Sequence, residues 1–81
     1  MEVPEYDYGI TLRPIPASTG LFISLDNFGG PLTYEIIGIT GNRAAEGILK
    51  ESQEFVDISR YASGLYFLRL EDGRTMKFLK E

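Results

Sequence analysis

An 81-residue chain with neither Cys nor His allows one small domain, without disulfides and without the usual ligands of a zinc or iron–sulfur site. The same absences remove the thiolate nucleophile and the Ser-His and Cys-His couples, so only catalysis by carboxylates or Lys stays open. Twelve acidic against eight basic side chains, a net charge of −4, argue against generic nucleic-acid binding, which draws its affinity from Lys and Arg. A non-enzyme with no cofactor and no metal is the expectation.

In chain order, Met1 is followed by Glu-Val-Pro-Glu, with no basic n-region and no apolar h-region, so this stretch is not a signal peptide. The chain is then either cytosolic or one part of a longer precursor whose targeting signal lies upstream. Residues 1–7 read as the end of a linker and 8–81 as the domain. Nowhere does an apolar run approach the roughly 20 residues of a membrane-spanning helix.

From Tyr8 onward, Gly and Pro punctuate the chain at intervals too short for typical helices and right for strands. Between the breaks apolar residues recur with period 2: Ile10 and Leu12; Leu21, Ile23 and Leu25; Leu32, Tyr34 and Ile36; Val56 and Ile58; Tyr66, Leu68 and Leu70. That alternation marks half-buried antiparallel strands. Ala44–Leu49 reads as a strand or a short helical turn, with strand favoured. Asp57 to Ala62 leaves a strand into one turn. Thr75–Lys80 is expected to pair with Leu65–Leu70 across Asp72-Gly73, a hairpin signal. About seven strands at this spacing predict a small immunoglobulin-like antiparallel β-sandwich, all-β in class, with a five-stranded barrel as the alternative.

Arg13-Pro14-Ile15-Pro16-Ala17 reads as a stiff corner where a strand changes sheets, with a polyproline ligand as the other option. Gly41-Asn42-Arg43 has no phosphate-loop pattern and reads as a hairpin turn. Glu54, Asp57 and Ser59 lack the calcium-loop pattern. In Gly64-Leu65-Tyr66-Phe67-Leu68, Tyr66 is placed on the inward face as a core anchor.

Taken in order, these segments resemble the C-terminal sorting domain of the type IX secretion system of Bacteroidetes. Arg13 to Ala17 ahead of Leu21-Phe22-Ile23-Ser24-Leu25 is similar to that family's YPNPA-like element before L-x-I-x-L, with Arg13 and Ile15 departing from it. Tyr34 to Arg43 is similar to its alternating strand and D-x-x-G-K/R turn, with Gly38 in place of the Asp. Val56-Asp57-Ile58-Ser59, Gly64 to Leu68 and Lys77-Phe78-Leu79-Lys80 follow in family order. The motif positions carried over are Pro14, Pro16, Gly41, Asp57, Gly64 and Tyr66.

The resemblance implies a non-catalytic signal. The parent protein reaches the periplasm, is recognised by the outer-membrane translocon, and ends at the outer membrane, on the cell surface or secreted. A surface sortase cuts most such cargo upstream of the domain and joins the passenger to anionic lipopolysaccharide; some members are retained and dock in the attachment complex. Thr75, Lys77, Leu79, Lys80 and Glu81 are the expected recognition residues, exposed to a partner if the last strand lies at a sheet edge, unless Lys77 and Lys80 serve only as gatekeepers against aggregation. On that view, deleting Lys77 to Glu81 leaves export intact if they are gatekeepers and traps the parent in the periplasm if they are the signal. Pro4, Glu5, Tyr6 and Asp7 form the expected cleavage linker. The domain is expected as a monomer or a strand-exchanged dimer. A carbohydrate-binding or adhesion module is the competing reading, with Phe22, Phe28, Tyr6 and Tyr8 as candidate sugar-stacking rings.

Overall fold

The structure is a computed structural model that describes residues 5–7, 9–14 and 17–81 and, for Glu5–Asp7, the main chain. Eight strands run in the order β1 Glu5–Asp7, β2 Ile10–Arg13, β3 Gly20–Leu25, β4 Leu32–Gly38, β5 Arg43–Leu49, β6 Gln53–Asp57, β7 Gly64–Leu70 and β8 Thr75–Lys80. They form two four-stranded antiparallel sheets, β1-β2-β3-β6 and β5-β4-β7-β8. The chain crosses between the sheets after β3, β5 and β6, and stays within one through the β4–β5 and β7–β8 hairpins. The extra strand relative to the expected seven is β1, within the segment read as linker, which pairs with β2 from Asp7↔Ile10 to Glu5↔Leu12.

The sandwich follows from the alternation. Ile10, Leu12, Leu21, Ile23 and Leu25 bury against Ile36, Leu49, Leu68, Leu70, Met76 and Phe78, with Ala17 and Ile58 filling in. Each large apolar side chain so removed from water contributes about 1.5–3 kcal/mol. The two hairpins turn where Gly supplies positive φ: Gly41 (φ +92°) between β4 and β5, and Gly73 (φ +98°) between β7 and β8. Ala44–Leu49 takes the strand form because every second residue, Ala45, Gly47 and Leu49, faces the interior. At Ile36/Ile37 a bulge lets β5 gain a residue on β4.

The proline corner differs from expectation. It does not carry the chain from one sheet to the other, since β2 and β3 are neighbours in the same sheet, paired from Ile10↔Leu25 to Arg13↔Phe22. Instead it reaches across to the second sheet, where Ala17 makes an isolated parallel bridge with Lys80. Pro16 and Ile15 lie outside the described residues, and so do Pro4 and Tyr8.

Candidate functional site

The last strand lies at an edge of its sheet, as its composition suggests. β8 pairs with β7 from Arg69↔Thr75 to Gly64↔Lys80, and among the described residues no other strand of the sheet flanks it. Its burial alternates without a break: Met76, Phe78 and Lys80 are buried, and Thr75, Lys77 and Leu79 are exposed. Phe78 is the anchor. It is 1% exposed, and its ring stacks on Tyr66 with centroids 5.6 Å apart. Tyr66 in turn packs against Tyr61 at 5.3 Å and donates its hydroxyl to the Ala62 carbonyl at 2.6 Å. That bond from a Tyr near the start of a strand to the backbone just upstream is the tyrosine corner of immunoglobulin-like sandwiches. Burial pushes the Tyr61 phenol up, so it stays neutral.

The motif positions at the two ends of the chain meet here. The Ala17 N–H donates to the Leu79 carbonyl, and the Glu81 N–H donates to the Ala17 carbonyl, each at 2.8 Å. These bonds define the strand's directions. Leu79 and Glu81 turn their main-chain groups away from β7, so by alternation Thr75 and Lys77 do too. Among the described residues the main-chain groups of Thr75 and Lys77 face outward without a paired strand. The corner thus closes the C-terminal half of the β8 edge and leaves the N-terminal half open. β1 runs beside β8 at this side of the sandwich without joining its sheet.

One recognition residue is corrected. Lys80 does not present its side chain with Lys77: it sits on the inward register with Met76 and Phe78, only 8% exposed. Its stem packs inside while Nζ snorkels to donate to the Glu81 carbonyl at 2.7 Å. Among the other motif positions, Asp57 accepts the Ser59 N–H at 2.9 Å, an Asx turn that ends β6, and this hydrogen bond holds its carboxyl below the usual carboxylate range. Gly64 restarts the chain into β7 at φ +148°. Pro14 is half-buried in the corner.

The outer face of the second sheet carries an ion-pair network that sequence spacing did not reveal. Glu35 on β4 pairs with Arg69 on β7 and with Arg43 on β5, at 3.1 Å for the latter, and Arg43 Nη1 donates to Glu46 at 2.7 Å. The Arg69 hydrogen bond holds the Glu35 carboxyl below its ordinary value. A shallow depression of about 770 Å³ lies over this network, bordered by Glu35, Glu46, Arg69 and Glu71. Its carboxylates are engaged: Glu71 accepts the Thr33 N–H, and Glu35 and Glu46 are held by arginines.

Of the rings weighed for sugar stacking, Phe22 is exposed and Phe28 packs against the core. Phe22 pairs with Phe55 on β6, centroids 5.0 Å apart and planes at 59°, so the two rings make a ridge rather than a flat platform. The Phe55 ring also lies where a Cβ on Gly20 would stand. The pair covers a glycine gap in the sheet.

A family profile described as the secretion system C-terminal sorting domain matches residues 11–81. The crystal structure of a DUF3244 family protein with an immunoglobulin-like β-sandwich fold, from Bacteroides vulgatus, superposes with a TM-score of 0.72 at 17% identity, covering 100% of this chain and 95% of that one. At that identity the likeness shows the fold, an immunoglobulin-like β-sandwich. No curated protein matches the chain. The profile spans the proline corner, the tyrosine corner and β8 together, and the chain belongs to the C-terminal sorting domain family of the type IX secretion system.

Proposed function

We propose that this domain takes its parent protein through the outer-membrane translocon to the cell surface, and that the translocon reads the open half of the β8 edge. Membership in the family supports the sorting role and export to the outer membrane or surface. The observation that carries the finer reading is the division of labour along β8: Met76 and Phe78 anchor it in the core, while Thr75, Lys77 and Leu79 face solvent, the first two beside unpaired main-chain groups. A strand added there gains main-chain hydrogen bonds, and Lys77 and Leu79 supply specificity. Glu81 continues past the Ala17 clip as the exposed end of this surface.

In a processed parent the sortase cuts in the Pro4–Asp7 region and joins the passenger to anionic lipopolysaccharide; in a retained one the folded domain docks in the attachment complex. Because Glu5–Asp7 pair with β2, cleavage inside that stretch requires β1 to leave its sheet, and cleavage ahead of it does not. A fluorescent protein fused ahead of Glu5 and expressed behind a periplasmic signal in a host with the secretion system tests the reading. Surface fluorescence that disappears with Lys77→Glu is expected. A fusion that stays in the periplasm refutes the sorting role, and one that exports normally with Lys77→Glu refutes the role given to β8. Mass spectrometry of the exported parent distinguishes cutting from retention by whether Tyr66 and Phe78 are still present.

A further inference from the structure

Resting on that sorting role, we infer that the outer face of β4, β7 and β8 is a second contact surface, taken by a protein partner with an apolar centre and a carboxylate placed to meet Lys77. An antiparallel sheet with one solvated face alternates apolar and polar residues; strands apolar on both faces belong to sheets covered on both sides. Three neighbouring strands here break the alternation in the same place. Leu65 and Phe67 flank the inward Tyr66, Ile37 follows the inward Ile36, and Leu79 follows the inward Phe78. The register lines them up: Ile37 lies opposite Phe67, Phe67 opposite Lys77, and Leu65 opposite Leu79. Ile39, one residue beyond β4, is 67% exposed. The result is an apolar patch that adjoins the open β8 edge.

The outer face of the other sheet offers a contrast, since its exposed Phe22 and Phe55 cover each other and Gly20. Among the described residues nothing comparable accounts for Ile37, Ile39, Leu65 and Phe67. Charge identifies the partner. Arg43 and Arg69, which border the patch, are taken up by Glu35 and Glu46, whereas Lys77 has no ion pair among the described residues. The partner therefore supplies one carboxylate. An anionic lipid surface is read by clusters of about 4–8 basic residues, and Lys77, the one cation on the described part of this face that Glu35 and Glu46 do not take up, does not make one on a chain of net charge −4. A second copy docking through the same face would bring a second Lys77, and the carboxylates of that face, Glu35 and Glu46, are already held by arginines.

The test uses the surface-reporter fusion with Ile39→Ser, the pair Ile37→Thr and Phe67→Thr, and Phe22→Thr on the opposite sheet as control. Ile39 stands clear of the core, so its variant keeps the melting temperature of the parent domain and a folding defect does not confuse the result. Expected is a loss of surface reporter of about tenfold for Ile39→Ser and for the pair, equivalent to roughly 1.4 kcal/mol of docking energy, with the control unchanged. If the unmodified fusion and both patch variants reach the surface alike, this inference falls and the sorting role stands. If the unmodified fusion stays inside, both fall. Binding of the domain to anionic phospholipid vesicles, or dimerisation by light scattering, that is lost with Ile39→Ser overturns the choice of a protein partner.

Discussion

Removing Lys77–Glu81 is the obvious way to ask whether the last strand is the signal, and the structure indicates that it asks a different question. The truncation takes out Phe78, 1% exposed and stacked on Tyr66, and the buried stem of Lys80. It also strips both partners from Ala17, whose N–H and carbonyl bond Leu79 and Glu81. Loss of a buried Phe costs about 3–5 kcal/mol, and each main-chain hydrogen bond left unmade costs about 0.5–1.5 kcal/mol. The sum, about 4–8 kcal/mol, compares with a total stability of about 4–12 kcal/mol for a domain of this size. The truncated domain is therefore expected to be unfolded or nearly so, read by circular dichroism through thermal and urea unfolding of the isolated chain. Failed export of the truncated fusion would then report loss of the fold. The double substitution Lys77→Glu with Leu79→Ser, confined to the exposed face, is expected to keep the melting temperature and lose export. A cooperative transition in the truncated chain within about 10 °C of the intact one would refute this reasoning, because 1 kcal/mol corresponds to about 4–8 °C at this length.

Three further outcomes follow from the geometry. Tyr66→Phe deletes the hydroxyl bond to the Ala62 carbonyl and keeps the ring, so urea unfolding is expected to show a loss of about 0.5–1.5 kcal/mol, near the lower end because Ala62 is exposed and water replaces the donor. Glu35 has a carboxyl held below its ordinary value by Arg69, so its contribution to stability is fully present above the unfolded-state value and is lost as pH falls through the lower folded-state value. The acid limb of stability, scanned from about pH 5 downward, is expected to be shallower in Glu35→Gln, and an unchanged limb would count against the network. Gly47→Ala puts a Cβ 2.8 Å from the Tyr34 hydroxyl oxygen on the paired strand, and the overpacking is expected to cost about 1–3 kcal/mol in the same urea assay.

Much of the candidate site was legible one strand at a time. The exposed Thr75, Lys77 and Leu79 and the buried Met76 and Phe78 can be read from period 2 alone, and Tyr66 from its place after Gly64. Lys80 is the exception, because its charge points outward while its register points inward: position 80 continues the inward series 76 and 78, and a long stem lets a lysine follow that series while its ammonium stays at the surface. The apolar outer face had a local signal as well, in the unbroken runs Leu65-Tyr66-Phe67-Leu68 and Ile36-Ile37. Each run by itself says only that a strand is apolar on both faces.

Sequence alone indicated seven of the eight strands, the face each turns to the core, the hairpins at Gly41 and Gly73, and the family, because alternation and turn chemistry are properties of neighbouring residues; β1, and the choice of strand over helical turn at Ala44–Leu49, came from the structure. Tertiary structure decided which strands lie together. It set Ala17 against Leu79 and Glu81, joined Glu35 to Arg69 across 34 residues, and gathered Ile37, Phe67 and Leu79 onto one face beside an open edge. Those relations depend on sheet order and on main-chain hydrogen bonds between distant segments, and a period-2 pattern is the same whichever strand comes to lie beside it.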